Sequence, residues 1–380
     1  MRLYLLQVLY CLPHSLGGSF TILFFLRLGF STAQIAVFYV VHYSVILLAI
    51  MLLRASNPYT LIRISLLLAG AGFLAISGLK GAPFFYMIAI LLGFMSPLFW
   101  VPFNTLYFRC SGRDSRAQLS GFSFIVFPLL NTIVPLLAGA AVDQLGFRVL
   151  YAASAFLALA ALAYAHHIRE RGRMDFGVGK KVEKAKGIRT LVYLEGLWQG
   201  IAWTCIPLVT LGYIQTGTDY GSFLSYLGLA GAAAVLLLCR VSDRLGNRTA
   251  FITPFITLAA FSTIAACFAF DFGLWVAVNG LISFFIAMTS PFTISLVLDK
   301  VADVGGAMVA RELFLNAGRL TGAFVLALSL FYTGNLRLPL AIAGLALVLY
   351  PLILYRKRLY PHRLSLRGIL SWESQELREA

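Results

Sequence analysis

Twelve apolar runs, each about as long as a bilayer is thick, set the terms for this chain. They cover residues 3–26, 31–53, 60–79, 83–108, 117–141, 148–168, 190–214, 220–240, 249–270, 273–298, 306–331 and 337–355. A membrane helix needs roughly 20 mostly apolar residues, because each adds about 1.5 Å across a core about 30 Å thick. A closed barrel is the other spanning solution, but its strands alternate in polarity over about ten residues. The unbroken Leu, Ala, Phe and Ile runs here do not alternate. Charged residues make up only 12% of the chain and hydrophobic ones 60%, against roughly 25% charged in a soluble domain. So few charges cannot clothe a surface that faces water. The expected fold is all-α integral membrane, with twelve transmembrane helices in two pseudo-symmetric six-helix bundles.

The net charge of +15 would point to nucleic acid in a soluble protein. Here most Lys and Arg lie in short spacers between apolar runs, so no nucleic-acid partner is expected. With the N-terminus inside, the inner segments hold Arg2, Arg54, Arg63, Arg109, Arg113, Arg116, Arg240, Arg244, Arg248 and Lys300, and the basic stretches 169–189 and 356–378. The outer loops hold only Arg27, Lys80, Arg148 and Arg337. This bias predicts both termini in the cytoplasm and an even number of helices. Compact loops suggest a prokaryotic cytoplasmic membrane. The apolar character of residues 3–12 resumes through Phe25 with no small-x-small cleavage site, so the N-terminus reads as an uncleaved first helix. The five cysteines form no CxxC pair and read as packing residues or free thiols.

The longest polar interruption, 169–189, falls after six helices. It divides the chain into a first half, 1–168, a cytoplasmic linker, 169–189, a second half, 190–356, and a tail, 357–380. The halves share short matches at equivalent places. Ser96-Pro97 in the fourth run answers to Ser290-Pro291 in the tenth, and Arg54-Ala55-Ser56-Asn57 answers to Arg240-Val241-Ser242-Asp243. Two such halves imply parallel repeats around a site at mid-membrane.

Cys239 to Arg248, with Asp243, Arg244, Gly246 and Arg248 in place, resembles the loop signature G-x-L-x-D-R-x-G-R-R of the major facilitator superfamily; Cys239 replaces its first Gly. Gly139 to Arg148 is similar to that family's junction between helices five and six. The resemblance implies a secondary transporter working by alternating access, with helices one, four, seven and ten lining the cavity. It also implies that the Asp243 loop latches the cytoplasmic side, here against the start of helix five near Arg116. A carboxylate at such a helix end favours the positive N-terminus of a neighbouring helix; the alternative is a local salt bridge in a basic loop. The first-half copy carries Asn57 where the family has Asp, which implies a weaker latch. The fourth run has no intramembrane Arg, unlike many proton-driven drug exporters of the family.

Polar stripes mark the four cavity runs. The first carries Gln7, His14 and Thr21, the fourth Ser96, Trp100 and Asn104, the seventh Glu195, Gln199 and Trp203, and the tenth Asn279, Ser283, Ser290 and Thr293. Hydrogen bonding between helices is the other reading of such residues. In the eleventh run Glu312, Asn316 and Arg319 share a face, at steps of four and three. An arginine near mid-membrane is costly and faces protein or a watery cavity. The expectation is a network of Glu195, Glu312, Asn316 and Arg319, in which a glutamate carries a coupling proton, Arg319 binds an anionic group, or all four form a structural ion pair.

Enzyme signatures are missing: there is no HExxH, no paired Asp-rich motif and no P-loop, and His166-His167 has no cluster of carboxylates near it. The expected partners are a small organic solute, the lipid bilayer and a coupling proton. No metal, cofactor or catalytic residue is expected, and the chain reads as a monomer. The alternative is a non-transporting sensor or assembly factor built on a transporter scaffold, and after it an intramembrane enzyme.

Overall fold

A computed structural model describes residues 2–79, 81–109, 116–168, 172–179, 181–184, 187–242, 248–300 and 303–357. Each apolar run becomes a helix. The first is broken into α1 (Arg2–Leu16), a 3-10 turn (Gly18–Phe20) and α2 (Thr21–Arg27). Then follow α3 (Thr32–Leu52), α4 (Pro58–Ser77), α5 (Ala82–Arg109), α6 (Arg116–Leu145) and α7 (Phe147–His167). A short α8 (Lys181–Lys184) lies in the linker, and the second set is α9 (Arg189–Thr210), α10 (Gly217–Ser242), α11 (Arg248–Cys267), α12 (Phe272–Lys300), α13 (Val304–Thr333) and α14 (Leu338–Arg356).

Counting α1 with α2, ten of these are long and apolar enough to cross a membrane among the described residues. The other two long helices are α11, apolar over Ile252–Cys267, and α9, whose 22 residues include Glu195 and Gln199. Chemistry at the ends explains where the helices begin and stop. Ser31 and Gln34 form a capping box before α3, and Asn57 caps α4 ahead of Pro58. Gly146, at φ +82°, turns the chain between α6 and α7.

The packing is two-fold. Within the first set, α1 packs on α6 and α7, α4 on α5 and α7, and α3 on α5. Within the second, α9 packs on α13 and α14, α11 on α12 and α14, and α10 on α12. Every pair in the first group has its counterpart six spans later. The sets meet in matched pairs too: α3 with α13 answers to α6 with α10, and α5 with α13 answers to α6 with α12. This arrangement puts α9 and α13 beside α3, at the junction of the two sets.

The linker is docked onto the first set. Ser56 and Met174 exchange two backbone hydrogen bonds of 2.9 Å, and Arg173 Nε donates to Ala55 O. Phe176 is fully buried in a cluster with Leu53, Leu61, Val101 and Val309, which brings the linker together with the end of α3 and with α4, α5 and α13. We call this end the linker face and the opposite end the far face.

Candidate functional site

Close approach of α9 and α13 comes first. Each carries a pair of glycines four apart, Gly196 and Gly200 on α9 and Gly318 and Gly322 on α13. A Cβ on Gly196 would strike the Leu315 carbonyl, and one on Gly200 the Arg319 carbonyl. In the other direction, Gly318 faces Tyr193 O and Gly322 faces Leu197 O. Small residues at this spacing let backbones touch in a membrane, where packing rather than water exclusion drives association. The residues flanking these glycines are thereby pressed together.

Those residues close into a ring. Arg311 donates from Nη2 to Glu195 Oε1 at 3.3 Å and from Nη1 to Glu312 Oε1 at 3.1 Å. Asn316 Nδ2 donates to the Glu312 carbonyl at 2.8 Å and to Glu312 Oε2 at 3.3 Å. Arg319 donates from Nη1 to Asn316 Oδ1 at 3.0 Å and from Nε to Gln199 Oε1 at 2.8 Å. Gln199 Nε2 completes the circuit with a 3.2 Å bond to Glu195 Oε1. Arg311, Glu312, Asn316 and Gln199 are each less than a tenth exposed. Two arginines and two glutamates cancel in charge, which is what allows them to be buried. Two buried atoms of the ring have no hydrogen-bond partner among the described residues: Glu195 Oε2 and Arg311 Nε.

One side of the ring is open. Trp203, one turn beyond Gln199, is 49% exposed, and the Arg319 guanidinium lies 4.6 Å from its ring centroid. Such a stack is attractive, because the aromatic face is electron-rich. From the first set, α3 brings Tyr43, whose neighbours Ile46 and Ile50 pack with Leu320 and Ala323 of α13.

The four expected network residues therefore meet. Arg311 joins them although only the face of Glu312, Asn316 and Arg319 is expected to matter; it turns toward α9 because Glu195 draws it there. The paired Gly-x-x-x-Gly spacing is the sequence signal for this contact. Gln199 and Trp203, expected along the cavity, belong to the ring and its open side.

The remaining stripe residues are dispersed. Gln7 Nε2 donates to Ser123 O at 2.8 Å, tying α1 to α6. His14 Nδ1 lies 2.8 Å from Tyr10 O, with Nε2 buried and unpartnered among the described residues. Trp100 stands edge-on to Tyr10 at 5.4 Å in an aromatic column that runs through Phe99, Phe103 and Tyr107. Asn104 is buried on the same helix. Asn279 Nδ2 donates to Trp275 O at 2.8 Å, with Oδ1 unpartnered among the described residues, and Ser283 Oγ donates to Leu227 O, joining α12 to α10.

The expected latch of Asp243, Arg244 and Gly246 falls outside the described residues, and so do the side chains of Arg248 and Arg116. Asn57 of the first-half copy works locally: its Oδ1 accepts from Tyr59 N at 2.9 Å and Thr60 N at 3.3 Å, at the start of α4. A contact between the two sets is seen on the far face. Asp143, at the end of α6, accepts from Gly217 N at 2.8 Å, and from Thr218 N and Thr218 Oγ1 at 2.7 Å each, capping α10. Nearby, Arg27 Nη2 donates to Gln215 O at 2.7 Å.

Two solved structures with this architecture are of proteins named as transporters. No family model matches the chain. Over 366 residues it is 25% identical to the uncharacterized protein YqgE of Bacillus subtilis (strain 168), covering 89% of this chain and 81% of that one. The structure is similar to that of the E. coli fucose:proton symporter FucP, with a TM-score of 0.68 at 12% identity over 94% of this chain and 97% of the other. It is equally similar to the human organic anion transporter MFSD10, with a TM-score of 0.68 at 13% identity over 93% and 98% of the two chains. The chain has the fold of the major facilitator transporters: an all-α membrane protein with two pseudo-symmetric sets of helices.

Proposed function

We propose that this protein is a secondary active transporter that moves a small organic solute by alternating access. The observation that carries this reading is the charge-balanced ring of Glu195, Gln199, Arg311, Glu312, Asn316 and Arg319, buried where the two sets of helices meet. Charged groups in a membrane interior are expensive and mark pathways rather than mere scaffolding. In this reading, residues 1–168 and 190–356 rock against each other around the ring, and the linker face is the cytoplasmic one, a reading that the distribution of Lys and Arg supports.

Contacts between the sets exist at both ends, as rocking demands. Asp143 holds α10 on the far face. Phe176, Val101 and Val309 pack together on the linker face. Opening the far face would break the Asp143 bonds to α10, and opening the linker face would part Val101 from Val309. The likeness in fold to a fucose:proton symporter and an organic anion transporter supports the reading at the level of the transport class.

Flux in proteoliposomes tests it. The purified protein is challenged with a metabolite panel, with and without an imposed pH gradient. Saturable uptake of at least one solute above empty vesicles is expected. A folded protein that moves none of them is a sensor or assembly factor instead.

A further inference from the structure

Resting on the transporter reading, we propose that the ring binds an organic monocarboxylate on Arg319 and balances its charge by taking a proton on Glu195.

The asymmetry between the two arginines is the starting point. Arg311 contacts both carboxylates, Glu195 at 3.3 Å and Glu312 at 3.1 Å. Arg319 contacts neither. Its Nε and Nη1 go to the amide oxygens of Gln199 and Asn316, which orient the guanidinium without neutralising it. Its Nη2 donates to no described residue, and its flat face rests on half-exposed Trp203. A guanidinium held rigid by two neutral acceptors, with its Nη edge available, matches the planar two-oxygen geometry of a carboxylate. The indole and the nearby Tyr43 supply an apolar wall for the rest of the solute.

Charge balance then sets the valence and requires the proton. The empty ring is neutral, with two positive and two negative groups. A bound monoanion leaves it at −1 in a medium that penalises uncompensated charge. Protonation of one glutamate restores zero, and the hydrogen bonds say which. Glu312 uses both oxygens, Oε1 with Arg311 and Oε2 with Asn316. Glu195 takes its bonds from Arg311 and Gln199 on Oε1, leaving Oε2 buried and without a partner among the described residues. A proton from water adds to Oε2, converting the carboxylate to the acid without breaking a bond of the ring. Gln199 links the two events, because its amide touches Glu195 with one end and Arg319 with the other.

Other groups around the ring are few. Tyr10 of α1 lies within electrostatic reach of Glu312, and His42 and Tyr43 of α3 within reach of Arg319. On α9 itself, Tyr193 is occupied with Thr321 of α13. Of α14, Tyr350 lies in the same core cluster as Leu194 and Leu315. Arg27 of α2 is engaged at the far face, and Arg109 of α5 and Lys181 of α8 lie at the linker end, near Gly305 and Gly306.

The test uses the full chain in lipid nanodiscs, titrated with benzoate, 3-phenylpropionate and gluconate, each beside its carboxamide, followed by the metabolite panel of the flux assay. At least one carboxylate is expected to raise the unfolding midpoint, and its amide to bind at least tenfold more weakly. Its affinity should fall about tenfold per pH unit, with one proton taken up per anion, as linkage requires. Arg319→Gln should lose binding and Arg319→Lys regain part of it. Glu195→Gln should bind with no pH dependence and no proton uptake. Selection of neutral or cationic solutes alone, unchanged binding in Arg319→Gln, or proton uptake that persists in Glu195→Gln would overturn the proposal while leaving the transporter reading standing. No response to any solute by a protein that melts cooperatively would overturn both.

Discussion

The Nε of Arg319 donates a 2.8 Å hydrogen bond to Oε1 of Gln199, while the same guanidinium covers the ring of Trp203 one turn further along α9. One face of α9 thus holds the arginine both by its edge and by its plane. The hold depends on how closely the two helices approach, and several consequences can be measured.

Gly200 sets that approach, since a Cβ there would meet the backbone of Arg319. Gly200→Val should force α9 and α13 apart and cost about 1–3 kcal/mol, the usual penalty for overpacking. The expected result is a lower unfolding midpoint in nanodiscs. Gly231→Ala, on α10, is the control: its Cβ would meet nothing nearer than Pro128 and Ser283 at 3.5 Å, ordinary van der Waals contact.

Arg311 is the shared partner of two buried carboxylates. Arg311→Met should leave both uncompensated and destabilise by roughly 3–5 kcal/mol, as when one member of a buried pair is removed. The double variant Arg311→Met with Glu312→Gln should recover part of that loss. A double-mutant cycle on unfolding midpoints reads the coupling; strict additivity would mean the ring is not an energetic unit.

Asp143 fastens the far face by capping α10 from the opposite set. Asp143→Ala should cost about 0.5–2 kcal/mol of cap energy. Because a factor of ten corresponds to about 1.4 kcal/mol, the population with the far face open should rise several-fold. Spin labels at Leu145→Cys and Ser222→Cys should show a longer distance component that grows in the alanine variant.

The linker supplies a pH control. The Lys181 ammonium, followed by the Gly177 amide, holds the Asp175 carboxyl below its ordinary value of 3.8. A depressed carboxylate stabilises above its unfolded value and loses that contribution as pH falls through the folded one. The contact is exposed, so the effect is small. Amide protection factors across residues 172–184, corrected for intrinsic exchange, should stay flat from pH 8 to 5 and fall only below about 4, and in Asp175→Asn the lower protection should already be present at pH 7. Any pH dependence of transport near neutrality therefore comes from elsewhere.

Much of the fold was legible in the sequence because membrane helices obey one strong rule, the match between apolar length and bilayer thickness. The expected run 31–53 became Thr32–Leu52, and 306–331 became Val304–Thr333. Ends were blurred where caps decide them: Asn57 and Pro58 start α4 two residues before the apolar run at 60. At the site, the step-four and step-three spacing of Glu312, Asn316 and Arg319 gave their common face, and burial of a lone charge required a partner. Arg311 was not legible, because a residue adjacent to Glu312 points elsewhere on an isolated helix. Only the glycine-mediated contact with α9 makes it a neighbour of Glu195. Gln7 and Ser283 show the converse, since a polar side chain in an apolar run has the same appearance whether it bonds a neighbouring helix or faces a cavity.

The central claim is that the ring is the working centre of a transporter, and initial uptake rates in proteoliposomes test it most directly. For whichever solute the wild-type protein accumulates, Arg319→Gln, reconstituted to the same density and melting cooperatively, should carry it at less than a tenth of the wild-type rate. Equal rates in the two proteins would contradict the account.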